Sequence, residues 1–311
     1  MMTSAAFQNQ ITMRASILIL VTGLALPFAP FSMAQDSAPP SPPQTQEERT
    51  ALLDRVVSNQ KRSDEAMNLY ERIERRELRK NASDPQPSEV KIARVVPAGT
   101  GVDHIPVGPD GKPLDPAAYR VELEKLERAL AWAVREGPPQ REAYEKVAKK
   151  QRERSDLIEA TRSAFVYTYL SSETRDGRVL AKYRMEPNPA YRPTSRATSI
   201  FSRVRGVGWI DLAAGELARV EGETTGDISV GGFLAKVYRG SHFMQERYEI
   251  LPGLWMPTFS QYDFDGRKFF IPFAIHERTF YLQYRRIGPP KEALGVIRAE
   301  LGKPAAPSAD P

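Results

Sequence analysis

From Ser163 to Ile287 the chain runs in short segments with a period of two, broken by turn residues, a pattern that extended strands satisfy and helices do not. Phe165, Tyr167 and Tyr169 share one side of the first run. Val179, Ala181, Tyr183 and Met185 share one side of the second, and Asp176-Gly177 between them is hairpin chemistry. Further strands are predicted at 203–212, 216–223, 231–239, 242–251, 254–264, 268–277 and 278–287, with Pro252-Gly253 and Asp265-Gly266 as turns. In the strand after Asp265-Gly266, Phe269, Ile271, Phe273 and Ile275 fall on one apolar side. Pro257 and Pro272 lie inside strand patterns and predict edges or bulges, because proline donates nothing to a ladder.

Helical signals lie upstream. Thr45 and Glu48 have the spacing of a capping box, and Leu52, Leu53, Val56 and Val57 form one stripe behind it, predicting a helix over 45–63. Residues 67–80 suit either a helix or a strand; the strand reading makes 81–85 a turn and 89–96 its return. After a loop from Pro97 to Pro116, Tyr119, Leu123, Leu126 and Leu130 mark a helix that ends at Gly137-Pro138-Pro139. A second helix follows over about 140–160, with Tyr144, Val147, Ala148 and Ile158. The pattern predicts an α+β fold: an antiparallel sheet with an N-terminal helix and an inserted helical hairpin, laid out as one domain over 46–302 with its insertion at about 97–160.

The first 34 residues read as a signal peptide. Arg14 precedes the uncharged apolar run Ala15 to Leu26, Pro27 and Pro30 break it, and Ser32-Met33-Ala34 offers a small-residue exit, placing the cut between Ala34 and Gln35. The run is short of the ~20 apolar residues a spanning helix needs. Residues 35–45 form a Pro-rich leader and 303–311 a similar tail. A periplasmic or otherwise exported location is expected, soluble or peripheral to a membrane, with no spanning segment in the processed chain.

Composition narrows the chemistry. The chain has no cysteine, which removes disulfides, thiol catalysis and thiolate metal sites. Lys and Arg number 44 against 39 Asp and Glu, too even a balance for a nucleic-acid stripe. His104, His242 and His276 stand apart, without metal-ligand spacing. Ser58-Asn59-Gln60-Lys61 lacks the partner motifs of a serine acyl-enzyme site. Asp263-Phe264-Asp265-Gly266 departs from a calcium loop at Arg267 and Ala274, and is read as a hairpin turn. Arg205-Gly206-Val207-Gly208-Trp209 enters a strand, unlike a dinucleotide fingerprint. No catalytic, cofactor or metal residue is expected. What remains is a greasy sheet face, with Trp209, Phe233, Trp255, Phe269 and Phe273 as its large members: either ordinary core, or the lining of a cavity for a lipid or acyl chain.

Two segments carry a family resemblance. Gly208-Trp209-Ile210-Asp211, a short turn, then Leu217-Ala218-Arg219-Val220-Glu221-Gly222 form one, and Gly253-Leu254-Trp255-Met256-Pro257 the other. Over about Phe165 to Arg286 the chain resembles the outer-membrane lipoprotein-sorting (lipoprotein carrier) superfamily, in particular its uncharacterised exported branch. The resemblance implies a curved sheet, an incomplete barrel, closed by helices over an apolar cavity, and a lipid or lipidated protein as ligand. The insertion Pro97 to Ala160 departs from the family pattern, and no cargo-gripping residue of that family maps onto this chain. The alternative is a structural or interaction module that meets an envelope partner through the inserted hairpin. A hydrolase is the residual reading, resting on whether His242 or His276 meets carboxylates.

Overall fold

The computed structural model describes residues 41–43, 45–230 and 235–302. The expected signal segment, the Ala34–Gln35 cut, most of the leader, Phe233 and the tail lie outside these residues. The described elements are helix α1 (Gln46–Ala66), β1 (Tyr70–Arg79), β2 (Glu89–Pro97), β3 (Val102–Pro106), helices α2 (Pro116–Ala133) and α3 (Pro138–Ala164), β4 (Phe165–Arg175), β5 (Arg178–Pro187), β6 (Val204–Asp211), β7 (Glu216–Thr224), β8 (Ile228–Val230), β9 (Ala235–Val237), β10 (His242–Leu251), β11 (Leu254–Lys268), β12 (Ile271–Arg286) and helix α4 (Pro290–Glu300). The ladder order is β3-β2-β1-β12-β11-β10-β7-β6-β5-β4, with β9 on β11 and β8 on β9: a 12-stranded antiparallel sheet that does not close into a barrel. The α+β expectation holds.

Local chemistry explains the element ends. Thr45 accepts from the Glu48 amide at 3.1 Å while Glu48 accepts from the Thr45 amide at 3.0 Å, the reciprocal capping box. Asp115 caps α2 by accepting from the Ala117 and Ala118 amides, and Pro116 follows at the first helical position. Asp176 and Gly177 both have positive φ, as a two-residue type I′ hairpin requires.

Three expectations are corrected. Of the predicted strand 231–239, residues 231–234 lie outside the described residues and only Ala235–Val237 is strand, β9, paired with β8 at Ile228–Val230. Asp265-Gly266 is no turn: β11 continues to Lys268, and Phe269-Phe270 makes the reversal. Gly266 is tolerated mid-strand because the ring of its partner Phe273 occupies the space where a side chain would stand. The predicted strands 268–277 and 278–287 are one, β12. Phe269 and Ile271 accordingly leave the apolar side assigned to them; both are solvent-exposed, whereas Phe273 and Ile275 pack into the core.

The chain folds as two compact units. Unit 1 comprises the described part of Met1–Ser63, Glu77–Glu89 and Glu153–Phe280. There, Leu52 and Val56 of α1 pack on Ala181, Tyr183, Ile210 and Leu212. Asn59 donates to the Ala214 and Gly215 carbonyls, and Arg55 to that of Leu212, fixing α1 to the β6–β7 turn. A second cluster joins Phe165, Val204, Ile228, Val237, Tyr262 and Phe264. In the middle of the sheet Gly206 and Gly222 face each other across β6 and β7.

Unit 2 comprises Asp64–Arg76, Val90–Arg152 and the chain from Tyr281. Its core is Val96, Ile105, Leu123, Leu126, Leu130, Ile287, Leu294 and Ile297, with α2 packed on α4 and β3. The inserted segment thus supplies core side chains. Arg94, buried, donates to Glu71, to Glu300 and to the Tyr119 hydroxyl, while Arg285 takes the other oxygen of Glu71.

A Cβ on Gly206 would stand 2.2 Å from the Glu221 carbonyl oxygen, a backbone atom that cannot yield cheaply. Gly206→Ala is expected to lower unfolding stability by about 1–3 kcal/mol. Gly226→Ala, whose new methyl group would come no closer than 3.8 Å to Arg203, serves as the neutral control. Urea denaturation checks the pair, and equal midpoints would refute the steric account.

Candidate functional site

Register builds a site on the face of unit 1 opposite α1. Residues directly paired across antiparallel strands share a face, and three such rows cross the strands. The first is Lys182, Trp209, Arg219, Glu246, Phe259 and Phe280. The second is Arg184, Val207, Glu221, Met244, Gln261 and Arg278. The third is Arg205, Glu223, His242, Asp263 and His276. An open groove of about 520 Å³ lies along them, within the range of small-molecule sites. The backbone of Gly206 and Gly222 forms its floor with Val207 and Met244, and its walls carry Arg184, Glu186, Arg205, Arg219, Glu221 and Glu223.

Four of these six wall residues are paired. Arg219 bonds Glu246 at 2.8 Å and Glu221 from a second nitrogen, and Arg205 bonds Glu223 at 2.6 Å. Trp209 lies between two cations, with Lys182 Nζ 4.8 Å and Arg219 Cζ 5.2 Å from its ring centroid. His276 Nδ1 is 3.2 Å from Asp263 and its Nε2 3.8 Å from Asp265; His242 is 3.7 Å from Glu223. A histidine does therefore meet carboxylates. Its register neighbours across β11 and along β12, Gln261, Ala274 and Arg278, carry no hydroxyl or thiol. Among the described residues no group of three His, Cys, Asp or Glu side chains could hold a metal ion.

The inner face of the same sheet is lined differently. Where α1 meets Tyr167, Tyr183 and Ile210 the void is about 10 Å³, room for a water and not for a chain of methylenes. Farther along, Gln245, Ser260 and Thr279 form a paired row, each at most 2% exposed.

The five aromatic candidates separate. Trp209 and Trp255 come together with Leu180 and Ala218, and Trp209 abuts the groove through Val207. Phe273 packs beside Phe264 in another cluster. Phe269 is exposed at the β11–β12 turn, and Phe233 lies outside the described residues. The groove row leaves no local signal in the sequence, since its members come from separate strands and meet only through register. A second cleft, of about 500 Å³, opens in unit 2 beside Glu71, Arg94, Tyr119 and Arg285, the residues of the paired network already described.

The motif residues of the β6–β7 hairpin now have physical roles. Asp211 accepts from the Ala214 amide and from Arg178, which also reaches Glu249 and lies over Trp255. Glu216 sits behind them, 1% exposed; Arg62 approaches to 3.5 Å, yet neither carboxylate oxygen has a hydrogen-bond partner. Burial pushes its pKa up to about 7, against the pull of Arg247 and Arg62 and with a further push from Asp211 and Glu249.

What these features define is an α+β protein whose open antiparallel sheet presents a broad, charge-walled groove. No protein-family model matches the chain, and no curated protein matches it. Among solved structures it is similar to an outer-membrane lipoprotein-sorting protein domain from Vibrio parahaemolyticus, at TM-score 0.30 and 14% identity over 75% of this chain and 93% of that one. It is also similar to a DUF1329 family protein from Desulfovibrio piger, at TM-score 0.26 and 10% identity over 76% and 92%. Likenesses of this size add nothing to the reading of the groove. Among the described residues no helix is long and apolar enough to cross a membrane.

Because the folded pKa of Glu216 lies above the unfolded one, the folded state holds this proton more tightly. Stability from this group is greatest below the ordinary carboxylate range and is lost as pH rises to about 7, by roughly 3 kcal/mol in all. Glu216→Gln should therefore resist urea better than the parent at about pH 8 and differ little at about pH 5. A parallel shift at both pH values would show that the buried charge is not the cause.

Proposed function

We propose that this chain is a non-enzymatic envelope protein that binds a lipid or a lipidated protein, with the outer groove of unit 1 as its site. The observation that carries the reading is the groove's composition: an apolar floor of Val207 and Met244 over two glycines, between walls of paired arginines and carboxylates. An acyl chain on that floor leaves water at roughly 25 cal/mol per Å² of apolar surface. Its polar end meets the charged wall. Binding of this kind needs no acid, base or cofactor. Trp209, clamped between Lys182 and Arg219, would close one end of the floor, with Trp255 holding it from behind.

Native mass spectrometry of the processed protein from its own envelope, followed by solvent extraction, should release a discrete lipid mass. Val207→Asp combined with Met244→Asp should cut that mass, or the uptake of an added acyl probe, more than about tenfold while circular dichroism stays native. A clean apo mass with no uptake by the parent protein would end the lipid reading.

One observation favours a second reading, an interaction module. Of residues 141–150 of α3, eight are exposed and Ala143 and Val147 are only half-buried, so this stretch offers a free, lysine-rich surface. A module of this kind predicts that Lys146→Glu, Lys149→Glu and Lys150→Glu together abolish co-purification of an envelope protein and leave lipid content unchanged. Unchanged co-purification would remove the hairpin from consideration.

A further inference from the structure

The reversal between β11 and β12 is built from the wrong residues for a turn. A two-residue hairpin favours Asn-Gly or Gly-rich pairs, because positive φ costs a side chain. Here the pair is Phe269-Phe270, closed by Lys268 opposite Ile271, and Phe269 is held at φ 54. A bulky residue in that region is an outlier of the kind that marks function more often than accident. The strain holds apolar side chains out in water: Phe270 is 91% exposed, Ile271 72% and Phe269 46%.

The flanks are basic. Arg267 and Lys268 precede the tip, both exposed and with no acidic partner among the described residues. On the adjoining strand β9, Lys236 stands opposite Arg267, and Arg239 follows, also exposed. Lys236 is neutralised by Asp227 at 2.6 Å, and Asp265 offsets one of Arg267, Lys268 and Arg239, so the net charge next to the tip is positive. An exposed apolar point with cations on its flank matches the headgroup–acyl boundary of an anionic bilayer, where apolar side chains enter about 5–10 Å and cations meet lipid phosphates.

A second protein fits less well. An aromatic side chain offers at most about 250 Å², and two of the three are only partly exposed. The tip therefore falls short of the ~800 Å² per partner of a stable protein interface.

We infer that the Phe269-Phe270-Ile271 tip, with Arg267 and Lys268, is a membrane-docking point that inserts into the surface of an anionic lipid bilayer. The inference stands apart from the groove and from whatever occupies it.

The test is co-sedimentation of the processed protein with vesicles of phosphatidylcholine containing phosphatidylglycerol, and with vesicles of phosphatidylcholine alone. The parent protein should partition onto the anionic vesicles. Phe270→Asp with Ile271→Asp should reduce partitioning more than about a hundredfold, since each large apolar side chain contributes about tenfold or more. Arg267→Glu with Lys268→Glu should weaken binding to anionic vesicles at least about 25-fold, near fivefold per cation removed, and leave weak binding to neutral vesicles unaltered. Phe270→Ser, at a position with almost no packing to lose, guards against misfolding and should still lose about tenfold. Val207→Asp with Met244→Asp should dock normally, which separates failure of the tip from failure of the groove. A parent protein that leaves the anionic vesicles unbound, or a Phe270 variant that binds as well as the parent, overturns the proposal. So does a concentration-dependent dimer that Phe270→Ser dissolves, which would assign the tip to a second copy.

Discussion

The pairing of β6 with β7 decides what unit 1 can be. A one-residue slip between antiparallel strands turns every side chain to the opposite face, and here the faces have opposite duties. The ladder is displaced once, between Trp209 and Ile210. That bulge keeps Trp209 and Arg219 on the outer face while Ile210 and Leu217 face α1. The facing glycines then fix how closely the strands and the Phe243 ring approach, since a methyl group on Gly222 would sit 2.4 Å from that ring. Hairpin turn, bulge and glycine pair are one device: they hold α1 against one side and leave a groove on the other.

The distribution of polarity follows from that device. An antiparallel sheet usually keeps one face dry and one wet. In this unit the covered face carries Gln245, Ser260, Thr279 and Glu277 at the middle, with the Thr279 hydroxyl donating to Glu277 at 3.1 Å. The uncovered face places Val207 and Met244 between charged rows. An acyl chain entering the inner face would lie against buried polar side chains, among them Gln245, whose Oε1 has no hydrogen-bond partner, and it would offer them none. On the outer face the cost is smaller, because the charged walls keep their solvent and their partners.

Legibility in the sequence tracks the range of the interaction that decides each element. The capping box at Thr45 and the Asp176-Gly177 turn are settled within four residues, and both were readable. The resemblance segments were readable as strand–turn–strand, and both turns are held by carboxylates, Asp211 accepting from the Ala214 amide and Glu249 from the Gly253 amide. Asp265-Gly266 misled because local turn chemistry pointed one way while a distant ring, Phe273, filled the glycine's space and let the strand run on. Helix α4 is a local signal to which the sequence reading assigns no element, although Pro290 stands at its start and Leu294, Ile297 and Leu301 have helical spacing. The groove could not be seen at all, for Arg184, Val207, Glu221 and Met244 come from four strands and meet only through register.

The same logic separates apolar residues that stabilise from those that act. Phe273 and Phe269 are four residues apart and looked equivalent by alternation. Phe273 lies over Gly266, and its neighbour Ile275 joins it in the core, so burial supplies their reason to be apolar. Phe269, Phe270 and Ile271 have no such reason: their exposure lowers solubility, and the turn they occupy is strained. A sequence under no other demand would place Asn-Gly there at lower free energy. On the docking proposal these residues and the cations beside them have one reason in common, since a bilayer surface rewards both features at once.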